Sequence, residues 1–248
     1  MSKREMAIDR WVLAVFCLSI FVSCKKENRC DCIKRTGDII TETRVINGFD
    51  KIYVEDNLKV FITQDSIFEV KVEAGENIVP LIRTEVKEGT LYIRDDNRCN
   101  WSRSYNKPRN VYVKMPVINY ITSDATNDIV SLNTITTPEF DVQTKNSGNI
   151  ELTVNNLAIG SHMHGSGDLI LHGITGEHAC DIGGTSFLHC EDLQTTYTWV
   201  HTFTTGLCYV KASNLLICKI DYVGDVYCYG NPATIEKEQK STGQLFLK

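Results

Sequence analysis

The chain has 248 residues, a formal net charge of −5 and 42% hydrophobic residues. This negative balance argues against nucleic acid as a partner, because binding to a phosphate backbone relies on clustered Lys and Arg. The length allows one large all-β domain or two smaller ones, so the sequence pattern has to decide between them.

Residues 1–23 have the pattern of a lipoprotein signal peptide. A short basic start precedes an apolar stretch from Trp11 to Val22. As a helix this stretch would rise about 18 Å, which is too short for the roughly 30 Å hydrocarbon core of a bilayer. We therefore predict a cleaved export signal, with an ordinary secretory signal as the alternative to a lipoprotein signal.

Phe21-Val22-Ser23-Cys24 resembles a bacterial lipobox, in which the Cys becomes the acylated first residue of the mature protein. The resemblance implies that acyl chains on Cys24 anchor the protein to a lipid bilayer, and two or more chains make such an anchor stable. Position 25 is Lys rather than the Asp of the inner-membrane retention pattern. We expect an outer-membrane lipoprotein on the cell surface or the periplasmic face, with residues 24–44 as its tether.

Residues 45–116 alternate like short strands, but at uneven intervals. Pairs of apolar residues recur at steps of 18, 21 and 20 residues. These pairs are Ile52/Val54, Val70/Val72, Leu91/Ile93 and Val111/Val113. We predict that they are coils of the same stack as the rest of the chain, and the alternative is a separate sandwich that caps it.

Residues 97–107 interrupt this alternation with a basic and aromatic excursion. Its side chains of interest are Arg98, Trp101, Arg103, Tyr105 and Lys107. Such a set is suited to stacking on sugars or to holding an anionic partner. We predict a ligand-binding or partner-binding loop, although a loop of merely tolerated length is the alternative.

Residues 117–248 repeat with a period of about nineteen residues. Turn-like phrases rich in Gly, Ser, Asn and Asp are each followed by two apolar residues, at steps of 18 to 20. These apolar pairs are Val130/Leu132, Ile150/Leu152, Leu169/Leu171, Leu188/Cys190, Cys208/Val210, Val226/Cys228 and Leu245/Leu247. A second column has steps of nineteen and contains Ile121, Phe140, Ile159, His178, Tyr197, Leu216 and Ile235.

Two columns per period predict two short strands per coil. Such strands cannot bury an apolar face alone, but stacked coils share one core and satisfy each other's backbone groups. We therefore predict an all-β fold, a β-solenoid of about eleven coils that extends over residues 45–248 as a single domain. The exposed edge of the terminal coil would need a cap or a partner.

Several segments together carry a family resemblance. They are FDKIYV (49–54), VKVE (70–73), GTLYI (89–93) and VYVKMP (111–116), followed by Gly-Ser-Gly-Asp turns. In this combination they resemble the bacterial GIN-domain family of autotransporter-adhesin head domains, over about residues 45–248. The resemblance implies a β-helix-like stack in an envelope lipoprotein of Bacteroidetes type, and it brings no catalytic residues. Residues 124–128 depart from the family's Gly-Ser-Gly turn.

Five cysteines fall on the rhythm of the solenoid. They are Cys180, Cys190, Cys208, Cys218 and Cys228. We predict buried thiols, because no two of them occupy the same column position in adjacent coils. Disulfides are the alternative for an exported protein. Cys30, Cys32 and Cys99 lie outside the repeat, and no CxxC spacing indicates zinc.

Histidines and turn aspartates do not form a convincing ligand set. His162, His164, His178 and His189 fall on different coils and faces, so no metal site is predicted. Asp128, Asp168 and Asp225 are interpreted as corner residues that bond their own backbone rather than as calcium ligands or a glycosidase pair. No cofactor is predicted.

Between the inward pairs stand four residues that alternation points outward: Ile170, Tyr209, Tyr227 and Phe246. An apolar strip of this kind is a candidate contact patch, and the alternative is that a neighbouring segment or a dimer mate covers it. The sequence thus favours a non-enzymatic envelope lipoprotein that acts as an adhesin-like module for a glycan or protein ligand. The alternatives are a self-associating structural protein and a carbohydrate-active β-helix enzyme.

Overall fold

The computed structural model describes residues 35–97 and 107–248. These residues form nineteen strands and one short 3₁₀ helix, Val79–Leu81, which confirms the all-β prediction. None of the helical structure in the described ranges is long and apolar enough to cross a bilayer. Several predictions lie outside the described residues, namely those on residues 1–34, Arg98, Cys99, Trp101, Arg103 and Tyr105.

The strands divide at residue 117 into an irregular set and a regular set. The first set is β1 (Ile39–Arg44), β2 (Lys51–Asp56), β3 (Lys59–Gln64), β4 (Glu69–Gly75), β5 (Ile82–Lys87), β6 (Thr90–Asp95) and β7 (Asn110–Met115). The second is β8 (Tyr120–Ala125), β9 (Ile129–Ser131), β10 (Glu139–Thr144), β11 (Ile150–Met163), β12 (Leu169–Gly184), β13 (Leu188–His189), β14 (Leu193–Thr204), β15 (Cys208–Lys211), β16 (Leu215–Ile220), β17 (Val226–Tyr229), β18 (Thr234–Gln239) and β19 (Leu245–Leu247).

From β8 onward the chain is a solenoid of about seven coils, as the repeat predicts. Each coil contributes one parallel strand to each of two faces. Face A contains β8, β10, β14, β16, β18 and the C-terminal halves of β11 and β12. Face B contains β9, β13, β15, β17, β19 and the N-terminal halves of β11 and β12.

The prediction of consecutive coils in residues 45–116 is wrong. Ile52 pairs in parallel with Leu91 and Ile121, while Val70 pairs antiparallel with Val113. β2 lies between β6 and β8, and β3 lies between β7 and β9. The antiparallel strands β1, β4 and β5 flank this part, so about eleven coils was an overestimate.

A separate N-terminal sandwich is not what the structure shows either. β2 and β3 stack directly on β8 and β9, and one cluster of buried side chains extends from Phe49 to Cys228. β5 and β6 form a hairpin whose turn has positive φ at Glu88 and Gly89. Such a turn joins antiparallel strands, which explains why the coil pattern fails here.

The five predicted inward pairs from Ile150/Leu152 to Val226/Cys228 are all buried, whereas Val130, Leu132 and Tyr197 point outward, contrary to the prediction. Ile129, not Val130, pairs with Ile150, and Leu132 is 56% exposed. Tyr197 also points outward, because His178 pairs with Thr198. Ile121 stacks on Val142 rather than on Phe140. One extra residue in the coil moves Val130, Leu132 and Tyr197 to the opposite face. At Ile121 the coil has two extra residues, so this side chain stays buried.

The turn aspartates bond the next coil rather than their own backbone. Asp168 Oδ1 accepts the backbone N–H of Phe187 at 2.9 Å, and Asp225 Oδ1 accepts that of Gln244 at 2.8 Å. At the same corner a Cβ on Gly167 would clash with the carbonyl oxygen of Gly148. Gly is therefore required where successive coils approach most closely.

Five cysteines predicted to be core thiols are buried and free: Cys180, Cys190, Cys208, Cys218 and Cys228. Burial is the largest cause of the raised pKa of each thiol, and it raises that of Cys218 to about 12. These side chains therefore act as small apolar groups in the core.

Candidate binding surfaces

One outward column on face B collects aromatic rings from successive coils. Strand pairing puts Ile170 beside His189, His189 beside Tyr209, Tyr209 beside Tyr227 and Tyr227 beside Phe246. We call these five residues the face B column. Ile170, Tyr209, Tyr227 and Phe246 point outward as alternation predicts, whereas the place of His189 in the column was missed.

The rings of the face B column stack on one another. Centroid separations are 5.4 Å for His189 and Tyr209, 5.4 Å for Tyr209 and Tyr227, and 5.0 Å for Tyr227 and Phe246, with planes 17° to 26° apart. In-register parallel strands are about 4.8 Å apart, so rings at equivalent positions of adjacent strands come to lie at nearly the same separation. The result is a ridge along the axis of the solenoid, in which each ring restricts the movement of its neighbours.

The Tyr209 phenol and the Lys248 ammonium set part of the electrostatics of this ridge. Burial, followed by the neighbouring Tyr227, raises the pKa of Tyr209, so its phenol stays protonated. Lys248 Nζ lies 5.3 Å from the centroid of the Tyr227 ring and adds one cation at the end of the column. The ridge therefore offers apolar ring edges and phenol hydroxyls to a partner.

A second aromatic surface lies on face A and was missed by the sequence analysis. Tyr197, Trp199, His201 and Phe203 alternate along β14, and all four point outward. Tyr197, Trp199 and Phe203 are 45%, 36% and 39% exposed. We call these four residues the β14 row. The signal in the sequence is their alternation with Thr198, Val200, Thr202 and Thr204, which are buried.

Carboxylates hold the centre of the β14 row. His201 Nδ1 lies 3.2 Å from Asp181 Oδ1, and His201 Nε2 lies 2.9 Å from Asp221 Oδ2. The hydrogen bond with His201 is the main cause of the lowered pKa of Asp221, to which Lys219 also contributes. Asp181, His201 and Asp221 come from three adjacent coils, so the stacking of coils alone brings them together.

The described end of the excursion borders a basic groove of about 300 Å³. Its lining is Asn57, Lys59, Lys107, Pro108, Arg109, Asn110 and Asn127. Arg109 Nη1 forms a buried ion pair with Asp95 Oδ2 at 3.1 Å, and Lys59 Nζ lies 3.5 Å from Asp128 Oδ2. Much of the positive charge is therefore already balanced by carboxylates.

The histidines do not form a metal centre. Within residues 35–97 and 107–248, no three His, Cys, Asp or Glu side chains are arranged to hold an ion. His178 is buried in the core, where its Nε2 lies 3.0 Å from Ser161 Oγ. Burial lowers the pKa of His178 to about 4, so this imidazole is neutral at physiological pH.

Comparisons with known proteins identify relatives of this fold. A family model described as "Putative auto-transporter adhesin, head GIN domain" matches residues 48–232. A putative adhesin from Bacteroides fragilis has 20% identity and a TM-score of 0.80, over 87% of this chain and 100% of that chain. No curated protein matches the chain in sequence.

Two structures from Parabacteroides extend the comparison. A putative adhesin from P. merdae has 12% identity and a TM-score of 0.68, over 87% of this chain and 98% of that chain. A putative lipid binding protein from P. distasonis has 19% identity and a TM-score of 0.66, over 87% of this chain and 100% of that chain. At these identities the likeness shows a shared fold.

Proposed function

The chain belongs to the GIN-domain family of auto-transporter adhesin head domains, and from this premise we propose that it is a non-enzymatic envelope lipoprotein that binds a glycan or protein ligand. In this proposal acylated Cys24 anchors it in the outer membrane, and the residues between Cys24 and β1 act as the tether. The predicted tether of residues 24–44 is too long, because Ile39–Arg44 pairs with β4 and belongs to the sheet. The family is described as an adhesin rather than an enzyme, which supports a binding role over catalysis.

The face B column is the observation that carries the binding proposal. Tyr209 and Tyr227 are each stacked between two rings, so little side-chain entropy is lost when a ligand contacts them. Aromatic side chains supply large contact areas that combine apolar rings with polar tips. A rigid ridge of Tyr and Phe edges is therefore a suitable contact surface for a partner. Trp101 lies outside the described residues and is still predicted to be a second contact.

Cells that express the chain test both parts of the proposal. The test is to measure adhesion to surfaces coated with mucin, fibronectin or collagen for the wild type, Cys24→Ser and the double variant Tyr209→Ala/Tyr227→Ala. We expect wild-type cells to adhere to at least one coating. Cys24→Ser should release the protein from the membrane fraction and abolish adhesion. The double variant should stay on the membrane but lose most of its adhesion.

Leu157→Ala is the matched control, since it removes an apolar side chain that is 67% exposed and lies outside the face B column. It should leave adhesion unchanged. Wild-type cells that adhere to none of the coatings, or a double variant that adheres as the wild type does, would contradict the binding proposal. Membrane retention of Cys24→Ser would contradict the lipid anchor.

A further inference from the structure

We propose that the β14 row and the surface beside it form a second site, which binds the neutral sugar rings of a glycan chain. This inference rests on the proposed function, because it names a ligand class for a binding module. The proposed site is on face A of the solenoid, whereas the face B column lies on the other face. The two sites can therefore be tested separately.

The rings of the β14 row are open to a ligand in a way that the face B column is not. Alternate residues of a strand are about 6.8 Å apart, so Tyr197 to Phe203 extend over about 20 Å. Ring centroids are 6.0 Å apart for Trp199 and His201 and 5.5 Å apart for His201 and Phe203, with planes tilted by 58° and 56°. Tyr197 and Trp199 are 45% and 36% exposed, so parts of both rings stay open to solvent, whereas one side of the Phe203 ring lies over Gly183.

Small residues make a shallow trough beside Trp199. Strand pairing puts Ala179 next to Trp199 and Gly160 next to Ala179. Ala179 presents only a methyl group beside Trp199, so the trough is about one strand wide and ends at Gly160. On the far side the carboxylate of Asp141 leans over Gly160. Asp141 and Trp199 are three strand spacings apart, about 14 Å between backbones.

The chemistry of this surface matches a neutral sugar. A pyranose ring presents C–H groups on its faces and hydroxyl groups around its edge. Aromatic rings pack against the C–H faces, and carboxylates accept strong hydrogen bonds from the hydroxyls. The trough offers both, with rings along β14 and the carboxylates of Asp141, Asp181 and Asp221 around them.

The same carboxylates disfavour other occupants. They repel a phosphorylated, sulfated or uronic acid ligand, and the chain as a whole is negative. Inserting the row into a bilayer would remove Asp181 and Asp221 from water at high cost. The cores of protein interfaces are depleted in Asp, which argues against a second copy of the chain at this surface.

Calorimetric titration with oligosaccharides tests the inference. The probes are the hexasaccharides of cellulose, laminarin, mannan and chitin, with oligogalacturonate as an anionic comparison. We expect the wild type to bind at least one neutral probe and not the anionic one. Trp199→Ala should weaken that binding about tenfold or more by removing a stacking ring. Ala179→Leu should weaken it by filling the trough.

Ile67→Ala is the control, because Ile67 is 51% exposed and lies in neither the β14 row nor the face B column, and it should not change hexasaccharide affinity. Thermal unfolding of each variant checks that the solenoid is intact. The inference is overturned if no neutral hexasaccharide binds, if binding survives in Trp199→Ala, or if only oligogalacturonate binds. A dimer in sedimentation that Trp199→Ala dissociates would also overturn it. In all these cases the adhesion experiment on Tyr209 and Tyr227 still decides the proposed function on its own.

Discussion

His178 makes the stability of the core depend on pH. Its imidazole is fully enclosed, with the neighbouring positions of its column taken by Ile159 and Thr198. The pKa falls from the ordinary 6.5 to about 4 because burial penalises the charged form. An unfolded chain therefore takes up this proton below pH 6.5, whereas the folded chain resists it down to about pH 4.

We expect the free energy of unfolding to fall by about 3 kcal/mol between pH 7 and pH 4 through His178 alone. His178→Leu should remove this part of the pH dependence, because Leu fits an apolar column and does not titrate. The measurement is urea unfolding at pH 7 and at pH 4.5. His164→Gln, at an exposed position, is the control. An equal pH slope in the wild type and His178→Leu would contradict the assignment.

Residue type alone predicted the inner and outer positions correctly only where the assumed coil step was the actual one. From Ile150 to Leu188 the coil steps are 19, so period and alternation agree with the structure. Between His178 and Thr198 the step is 20. This single residue put Tyr197 in the predicted core and hid the β14 row, because the side-chain phase of a strand changes with every residue.

At the scale of strands and turns, backbone contacts between coils depend on the corner residues. The Asp168 carboxylate holds the Phe187 N–H, while its own N–H donates to Asn149 Oδ1 at 2.8 Å. The sequence showed the turn phrases but not these bonds. The sequence pattern around a turn Asp is the same whether its carboxylate accepts a hydrogen bond from its own backbone or from a neighbouring coil.

Asp168→Ala should lower the free energy of unfolding by about 1 kcal/mol, since it leaves the Phe187 N–H to water alone. Chemical denaturation at neutral pH measures this change. Glu177→Ala is the matched control, because Glu177 is an exposed outward residue on β12, the strand that follows Asp168, and it should have little effect. If both variants lose the same stability, the bond between coils contributes nothing.

The antiparallel part of the chain shows a second limit of sequence reading. Val70 pairs with Val113 and Ile52 with Leu91, and both pairings join residues far apart in sequence. Alternation is the same in parallel and antiparallel strands, so it cannot give the order of stacking. The local feature that marks the hairpin between β5 and β6 is the turn at Glu88 and Gly89, where both residues have positive φ in the structure.

At the scale of the whole molecule, one interior supports two ring-bearing faces. Coils that repeat in register turn single aromatic residues into a column on face B, and one coil with four outward rings makes the row on face A. A solenoid of this kind is rigid because the strands between its two ends are paired on both sides, whereas β18 and β19 of the last coil each have one partner strand. Binding surfaces made by stacking therefore need no loop to move.

In-register stacking of the face B column is the premise of the proposed binding surface, and engineered cysteine pairs test it most directly. Tyr209 and Tyr227 face each other on adjacent strands, whereas His189 and Tyr227 are two strand spacings apart, about 10 Å. The variant Tyr209→Cys/Tyr227→Cys should therefore form an intramolecular disulfide under mild oxidation, detected by peptide mass, and His189→Cys/Tyr227→Cys should not. Closure of the second pair in preference to the first would contradict the register on which the account depends.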